Sequence, residues 1–255
     1  MAVIGSTVGY RILRIIAPTE PLSMDGSSYA ERSKIEVLLG EGVWQEIKDK
    51  VVVDFGCGTG GETIELGQRG AAQVYGIDIL QRLLAIARDK AARANCQNVE
   101  FGTTPPVPAD VIISVDAFEH FADPASVLRV MAGMLKPTGI VLASFGPTWY
   151  HPLGGHLFSV FPWAHVIFGE KALCQWRSHI RQDGAEKFSE VEGGLNQMTI
   201  RKFERLVESS PFRFAWFETV PIRAVRRLHN RFTRELFTAV VRCKLVLRPS
   251  AARSA

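Results

Sequence analysis

The run Asp54-Phe55-Gly56-Cys57-Gly58-Thr59-Gly60-Gly61 places four glycines directly behind a carboxylate. Glycine lets a backbone turn sharply and lets a ligand approach it closely. The run fits a dinucleotide-type pattern through Gly56, Gly58 and Gly61, and it equally suits a tight turn with no ligand. Asp54 weighs between these readings. A carboxylate ahead of the loop repels a pyrophosphate and suits a ligand that carries an ammonium group. Asp78 follows 24 positions later. A carboxylate there can accept both hydrogen bonds of a ribose diol. Proton-transfer chemistry is available from His120 and from His151, His156 and His165. Imidazole is the natural base near neutral pH. His120 is the first candidate for a catalytic base and His156 the second; the plainer reading of His120 is a hydrogen bond to backbone near Glu119. The three later histidines have no metal-ligand spacing and no cysteine pair beside them, so no metal is expected.

The elements around these residues read as alternating strands and helices. Val51–Phe55, Val74–Asp78, Val99–Phe101, Val111–Val115 and Gly139–Ser144 are short apolar runs that suit buried parallel strands. Helices are expected at Glu62–Arg69, at Gln81–Ala94 and from Pro124, the last with Val127, Val130, Met131 and Met134 on one side. Only nine residues separate Phe101 from Val111, so that crossover has room for a single helical turn at most. Thr199 is a plausible N-cap for a helix with Phe203, Leu206 and Val207 inward. Phe212–Val220 and Leu236–Leu247 are β-rich and suit an antiparallel pair at a sheet edge. The rhythm predicts an α/β fold: a Rossmann-like, doubly wound, mostly parallel sheet with an antiparallel C-terminal edge hairpin.

Length and composition agree with one domain. The chain has 255 residues, of which 47% are hydrophobic and 22% charged, so disorder, collagen and coiled coil are excluded as its main state. Cys57, Cys96, Cys174 and Cys243 form no CxxC pair, which suits reduced thiols in a cytoplasmic protein. The charge is uneven. Pro221–Ala255 carries a balance of +8, and the other 220 residues −4. That segment suits either a solvated edge and tail or a patch for phosphate, nucleic acid or anionic lipid. Ile4, Val8, Ile12 and Ile15 share one helical face. Such a helix docks on its own domain as a lid or makes a peripheral membrane contact. Arg11 and Arg14 follow the apolar run instead of preceding it, unlike a signal peptide.

A ligand with a ribose at one end and a cationic amino-acid tail at the other is S-adenosylmethionine. The residues here resemble the class I S-adenosylmethionine-dependent methyltransferases. Asp54-Phe-Gly-Cys-Gly-Thr-Gly resembles the first motif of that family and Gly76-Ile77-Asp78 the second. Asp116-Ala-Phe-Glu119-His120-Phe-Ala-Asp123-Pro124 resembles the segment after strand four, and Leu135-Lys136-Pro137-Thr138-Gly139 the turn before strand five. The resemblance covers Val51 to Ser144 well and the C-terminal hairpin loosely. It implies that Asp54 holds the methionine amino group, directly or through water. Gly56, Cys57, Gly58 and Gly60 would line the cofactor tail, Asp78 would bind the ribose, and Ile79 and Leu80 would lie against the adenine. Asp116 and Ala117 would lie near the reacting methyl. Where the family often has an acid after strand three, this chain has Gly102-Thr103-Thr104.

The sequence therefore predicts one methyltransferase domain: a lid segment (1–30), a cofactor-binding core (31–146), an aromatic and His-rich insertion covering the substrate site (147–197), and a C-terminal helix and hairpin (198–250). The expected partner is a small molecule methylated at oxygen. Competing readings are a nucleic-acid methyltransferase using the basic segment, a nicotinamide-dependent oxidoreductase using the same glycines, and a non-catalytic S-adenosylmethionine-binding protein. No nucleic-acid motif accompanies the arginines, so nucleic acid is not the expected partner.

Overall fold

The computed structural model describes residues 3–17, 32–181, 184–191 and 194–249. Most of the second half of the expected lid segment, 18–30, lies outside them. In chain order the elements are helix α1 (Ser6–Ile16), α2 (Lys34–Leu39), α3 (Val43–Ile47), strand β1 (Val51–Phe55), α4 (Gly61–Gln68), β2 (Gln73–Ile77), α5 (Gln81–Arg93), β3 (Val99–Gly102) and β4 (Ala109–Val115). Then come α6 (Pro124–Met134), β5 (Leu135–Phe145), α7 (Ala164–Ile167), α8 (Glu170–Arg177), α9 (Ile200–Glu208), β6 (Phe212–Pro221), α10 (Arg234–Phe237) and β7 (Thr238–Leu247).

The seven strands form one sheet in the order β3-β2-β1-β4-β5-β7-β6. The first five are parallel, and β7 runs antiparallel to both β5 and β6. The crossover from β3 to β4 has no helix. The chain reverses direction in order after β1, so β1 and β4 lie side by side and their carboxyl ends open a crevice at the switch point. Both faces of the sheet are covered. Val52, Val74, Val111, Ile113 and Leu142 pack against Ile35, Leu39 and Ile47 on one side. Val53, Ile112, Val141 and Leu245 share the other side with Phe118, Leu128, Met131 and Phe203.

Three expectations change in detail. In α6 Met131 is buried and Val127 and Met134 pack beside it as expected, but Val130 is exposed and Leu128 takes its place in the core. The turn Lys136–Gly139 lies within β5 as a register shift, for Leu135 pairs Ala109 and Ile140 pairs Val111. Lys136 ties that bulge to Asp110 at 2.9 Å. In α1 the buried residues are Gly9 and Leu13, while Val8 and Ile15 are 61% and 83% exposed. The small Gly9 brings this helix close to Phe168 and Ala172, and close approach chooses the docked face over apolar count. Leu13 thereby joins a separate core made of Phe158, Phe168, Leu173, Trp176 and Phe188.

Candidate active site

The glycine loop is fastened to the end of β2. The amides of Gly56 and Cys57 both donate to the Ile77 carbonyl, at 2.9 and 3.0 Å. Gly58 N donates to Asp78 Oδ2 at 3.0 Å and Leu80 N to Asp78 Oδ1 at 2.9 Å. Each oxygen of Asp78 keeps a further lone pair for a ligand hydroxyl. Gly60 adopts φ +77° as the cap of α4, and a Cβ there would lie 2.8 Å from both Ala87 and Phe101. Gly58 is also left-handed at φ +52°, yet the space beside it is open. One glycine thus closes the fold and the other leaves room for a ligand. Cys57 is buried within the loop, and burial pushes its thiol pKa far up, so it acts as an apolar wall.

Asp54 lies inside the crevice at 2% exposure, where the Thr63 hydroxyl donates to its Oδ2 at 2.6 Å. Burial raises its pKa to about 7, with Glu62 and Asp78 adding to the rise and the Thr63 bond and Lys34 opposing it. Ile79 and Leu80 are exposed beside Asp78, leaving apolar surface open to a flat ring. Thr103 and Thr104 are exposed as well, and the carbonyl of Gly102 accepts from Asp78 N at 3.1 Å.

After β4 the backbone turns through Asp116, whose φ is +48°. Asp116 Oδ2 pairs with Lys34 Nζ at 3.1 Å, and the same ammonium lies 3.5 Å from Glu62. Burial alone would lower the Lys34 pKa, but the two carboxylates outweigh it and hold it above the ordinary value. Burial raises Asp116 despite Lys34. Ala117 is buried beside it. Glu119 is buried, and its Oε1 accepts from Gly146 N at 3.0 Å. Its Oε2 has no hydrogen-bond partner among the described residues. Burial, then the charge of Asp116, raises Glu119 to about 8.

Of these groups, Asp116 and Glu119 line a cavity of about 320 Å³ with His120, His156, Phe158, Val191 and Leu195. The His120 and His156 rings stand 5.3 Å apart. His120 Nδ1 lies 2.8 Å from the Gly194 carbonyl oxygen. A carbonyl only accepts, so Nδ1 carries the proton and Nε2 keeps its lone pair. The backbone bond of His120 is therefore real, though it reaches Gly194 rather than a neighbour of Glu119. Burial lowers His156 to about 4, so it is neutral at pH 7. His151 and His165 are engaged elsewhere: Leu153 N donates to His151 Nδ1 at 2.9 Å, and His165 Nε2 donates to the Trp149 carbonyl at 2.6 Å.

Sequence reasoning missed Lys34, Glu119 and Asn196. The side-chain amide of Asn196 donates to the carbonyls of Phe118 and Phe121, and its own backbone N–H donates to Glu119 O. That stitches 194–196 onto the loop carrying Glu119 and His120. No local pattern marks Asn196, since its partners lie 75 and 78 positions away. Glu119 stood inside a motif already singled out, and its flanking Phe118 and Phe121 were the available sign of burial.

Whether S-adenosylmethionine suits these residues is tested by the acids. A buried carboxylate with a raised pKa is stabilised by an incoming ammonium, and the free lone pairs of Asp78 match a diol. The open space at Gly58 admits the tail between them. The residues present fit the group.

A sequence profile described as a methyltransferase domain matches residues 53–143. Over 107 residues, 39% of this chain, the sequence is 35% identical to a ubiquinone biosynthesis O-methyltransferase of Neisseria meningitidis, covering 45% of that protein. It is 37% identical over 103 residues to the protein of that name from Acinetobacter baumannii, covering 37% of this chain and 43% of that one. The chain thus spans less than half the length of these curated relatives. A solved structure of a putative S-adenosylmethionine-dependent methyltransferase from Listeria monocytogenes superimposes with a TM-score of 0.53 at 15% identity, over 80% of this chain and 93% of that one. At that identity the likeness concerns the fold.

Proposed function

Since this chain carries a class I S-adenosylmethionine-dependent methyltransferase domain, we propose that it methylates a hydroxyl oxygen of a small molecule held in the cavity between His120 and His156. S-adenosylmethionine, when bound, supplies a methyl group on a sulfonium that is already an activated leaving group. Asp54 holds the amino group of its tail, Asp78 the ribose hydroxyls, and Ile79 and Leu80 flank the adenine. Gly56, Cys57, Gly58 and Gly60 line the tail, and Asp116 and Ala117 border the reacting centre.

His120 acts as the base. The Gly194 carbonyl fixes its tautomer, which is the observation that carries the assignment. The O–H bond of the acceptor breaks, its proton passes to His120 Nε2, and the freed electron pair takes the methyl carbon, which the sulfonium would release with the S–C electron pair staying on sulfur as a neutral thioether. His156, neutral and lodged against His120, orients the acceptor. Its pKa of about 4 lies well below neutral pH, and a general base works best with a pKa near the operating pH. The apolar wall of Phe158 and Leu195 suits a flat acceptor. The insertion 147–197 closes this wall, and α1 braces it from outside through Leu13. The relatives named for O-methylation in ubiquinone biosynthesis support oxygen as the target.

The test is a screen of hydroxylated aromatic acceptors with S-adenosylmethionine, repeated with His120→Ala. The expected result is methylation at oxygen that falls about 10²–10⁴-fold in the variant, with S-adenosylhomocysteine affinity unchanged. An undiminished rate in the variant refutes the role of His120. Methylation at nitrogen or carbon alone refutes the acceptor class.

A further inference from the structure

The basic C-terminal surplus is not used by the site described above. Five of its arginines fall in the connection between β6 and β7, residues 222–237, which contains a single acid, Glu235. Pro221 pairs Thr238, and Phe145 at the carboxyl end of β5 pairs Val241. The connection therefore leaves the sheet at the same end as the glycine loop and the crevice.

Its charged groups divide into two sets. Arg234 grips Glu204 through two bonds of 2.8 and 2.7 Å, and Glu235 accepts the backbone N–H groups of Ile200 and Arg201. Both interactions clamp the connection to the start of α9 and leave Glu235 engaged. Arg223, Arg226, Arg227 and Arg231 are exposed and form no ion pair with a carboxylate among the described residues. Leu228, 56% exposed, stands between Arg227 and Arg231, and Phe232, 79% exposed, directly follows Arg231. Phe232 does not hang on a loose tip. Asn230 Oδ1 accepts the N–H groups of Phe232 and Thr233 at 2.9 and 3.3 Å, and Asn230 N donates to the Thr233 hydroxyl at 3.0 Å. Arg231 lies 4.5 Å from the Phe232 ring.

We propose that this connection docks the protein on an anionic lipid bilayer, with Phe232 and Leu228 entering the acyl boundary and Arg226, Arg227 and Arg231 on the lipid phosphates. Uncompensated guanidinium groups select a negative surface, and adjoining exposed apolar side chains on an ordered turn select one with an apolar interior. Single-stranded nucleic acid would use the same arginines and an aromatic ring for stacking, but it gives the aliphatic Leu228 nothing to bury against. The docking face adjoins the crevice, so an apolar acceptor could pass from bilayer to cavity. The proposal stands without that consequence and without the acceptor assigned above.

The experiment is co-sedimentation of the full chain with vesicles of phosphatidylcholine alone or mixed with phosphatidylglycerol. It is repeated with Phe232→Ser and with Arg226→Ser/Arg227→Ser, and S-adenosylhomocysteine binding is measured for every variant. The expected result is binding to the mixed vesicles only. Binding should weaken about fivefold for each arginine removed and about tenfold or more for Phe232→Ser, with S-adenosylhomocysteine affinity intact. Equal binding to both vesicle types, or wild-type binding by Phe232→Ser, overturns the proposal. Tighter, salt-steep binding to a single-stranded RNA oligomer than to vesicles overturns it too and assigns the arginines to nucleic acid. Because S-adenosylhomocysteine binding is read separately, failure here leaves the methyltransferase reading untouched.

Discussion

Asp54→Asn should make the ligand-free protein more stable and the liganded complex weaker, and the two effects should share one pH. The unfolded chain releases the Asp54 proton near 3.8, and the folded chain near 7. Below 3.8 both states hold it. Between the two values the folded chain keeps a proton that the unfolded chain has lost. Stability therefore falls as pH rises, and the loss is complete once pH passes about 7. A displacement of this size corresponds to about 4 kcal/mol. Asn is isosteric, retains an oxygen for the Thr63 hydroxyl and carries no charge. Urea denaturation should thus find the two proteins level near pH 3.8 and diverging steadily above it, with the variant clearly more stable at pH 8.

Ligand binding should run the other way. The ammonium of S-adenosylhomocysteine favours the ionised carboxylate. Wild-type affinity should rise by up to tenfold per pH unit below 7 and level off above it. Asp54→Asn should lack this rise and bind about ten- to hundredfold more weakly at pH 8, the worth of one hydrogen bond to a charged group. Isothermal titration at pH 5.5, 6.5, 7.5 and 8.5 measures both curves. Parallel curves for the two proteins, or a variant less stable than wild type at pH 8, would refute the reasoning. The first outcome would mean that the ammonium does not reach Asp54, and the second that Asp54 is a structural bond and not a strained acid.

Gly60→Ala and Gly58→Ala should separate fold from ligand. The first drives a Cβ into Ala87 and Phe101 at positive φ and should cost about 1–3 kcal/mol by thermal denaturation. The second meets open space, should cost about 1 kcal/mol for its left-handed backbone, and should still abolish S-adenosylhomocysteine binding. Glu119→Gln should remove the part of the pH dependence that lies between about 4.5 and 8, where folded Glu119 holds a proton the unfolded chain has lost. Stability of wild type falls across that window by a few kcal/mol relative to the variant, so urea midpoints should diverge as pH rises. NAD should give no heat on titration under conditions where S-adenosylhomocysteine binds, because its pyrophosphate would enter a crevice already lined by Asp54 and Asp78.

Much of the sheet was legible because its signals are local. A β-branched run followed by glycine, such as Val51 to Gly56, needs few distant partners to be recognised. Pro124 opening α6 and the Thr199 cap of α9 are equally local, and the Thr199 side chain accepts the Lys202 N–H of the following turn. Where a helix must choose a face, locality fails. For α1 the apolar stripe suggested Ile4, Val8, Ile12 and Ile15, yet only Ile4 and Ile12 pack on the core, because the neighbour it meets is shaped for Gly9. For α6 the stripe held at Val127, Met131 and Met134, but Leu128 and not Val130 completes the inward face. The acceptor side of the site was less legible still. His120 could be suspected from its place after β4, but the bond that fixes its tautomer comes from Gly194, 74 positions away. Lys34 meets Asp116, 82 positions away, only because α2 packs on the sheet face with its first residue beside the carboxyl end of β4.

What unites these residues is charge. Asp54, Glu62, Asp78, Asp116 and Glu119 act on one another across the crevice. Glu62 and Asp78 raise Asp54, and Asp116 raises Glu119. Lys34 is the cation that the described residues set among them, and its two ion pairs answer Asp116 and Glu62. Repulsion of this kind weakens the ligand-free fold, so the arrangement makes sense only if a ligand relieves it. A dinucleotide would bring further negative charge against Asp54. On the proposed binding mode, a sulfonium and an ammonium bring positive charge to two separate places, beside Asp116 and beside Asp54. The glycines alone admit either ligand; the acids around them select the cationic one.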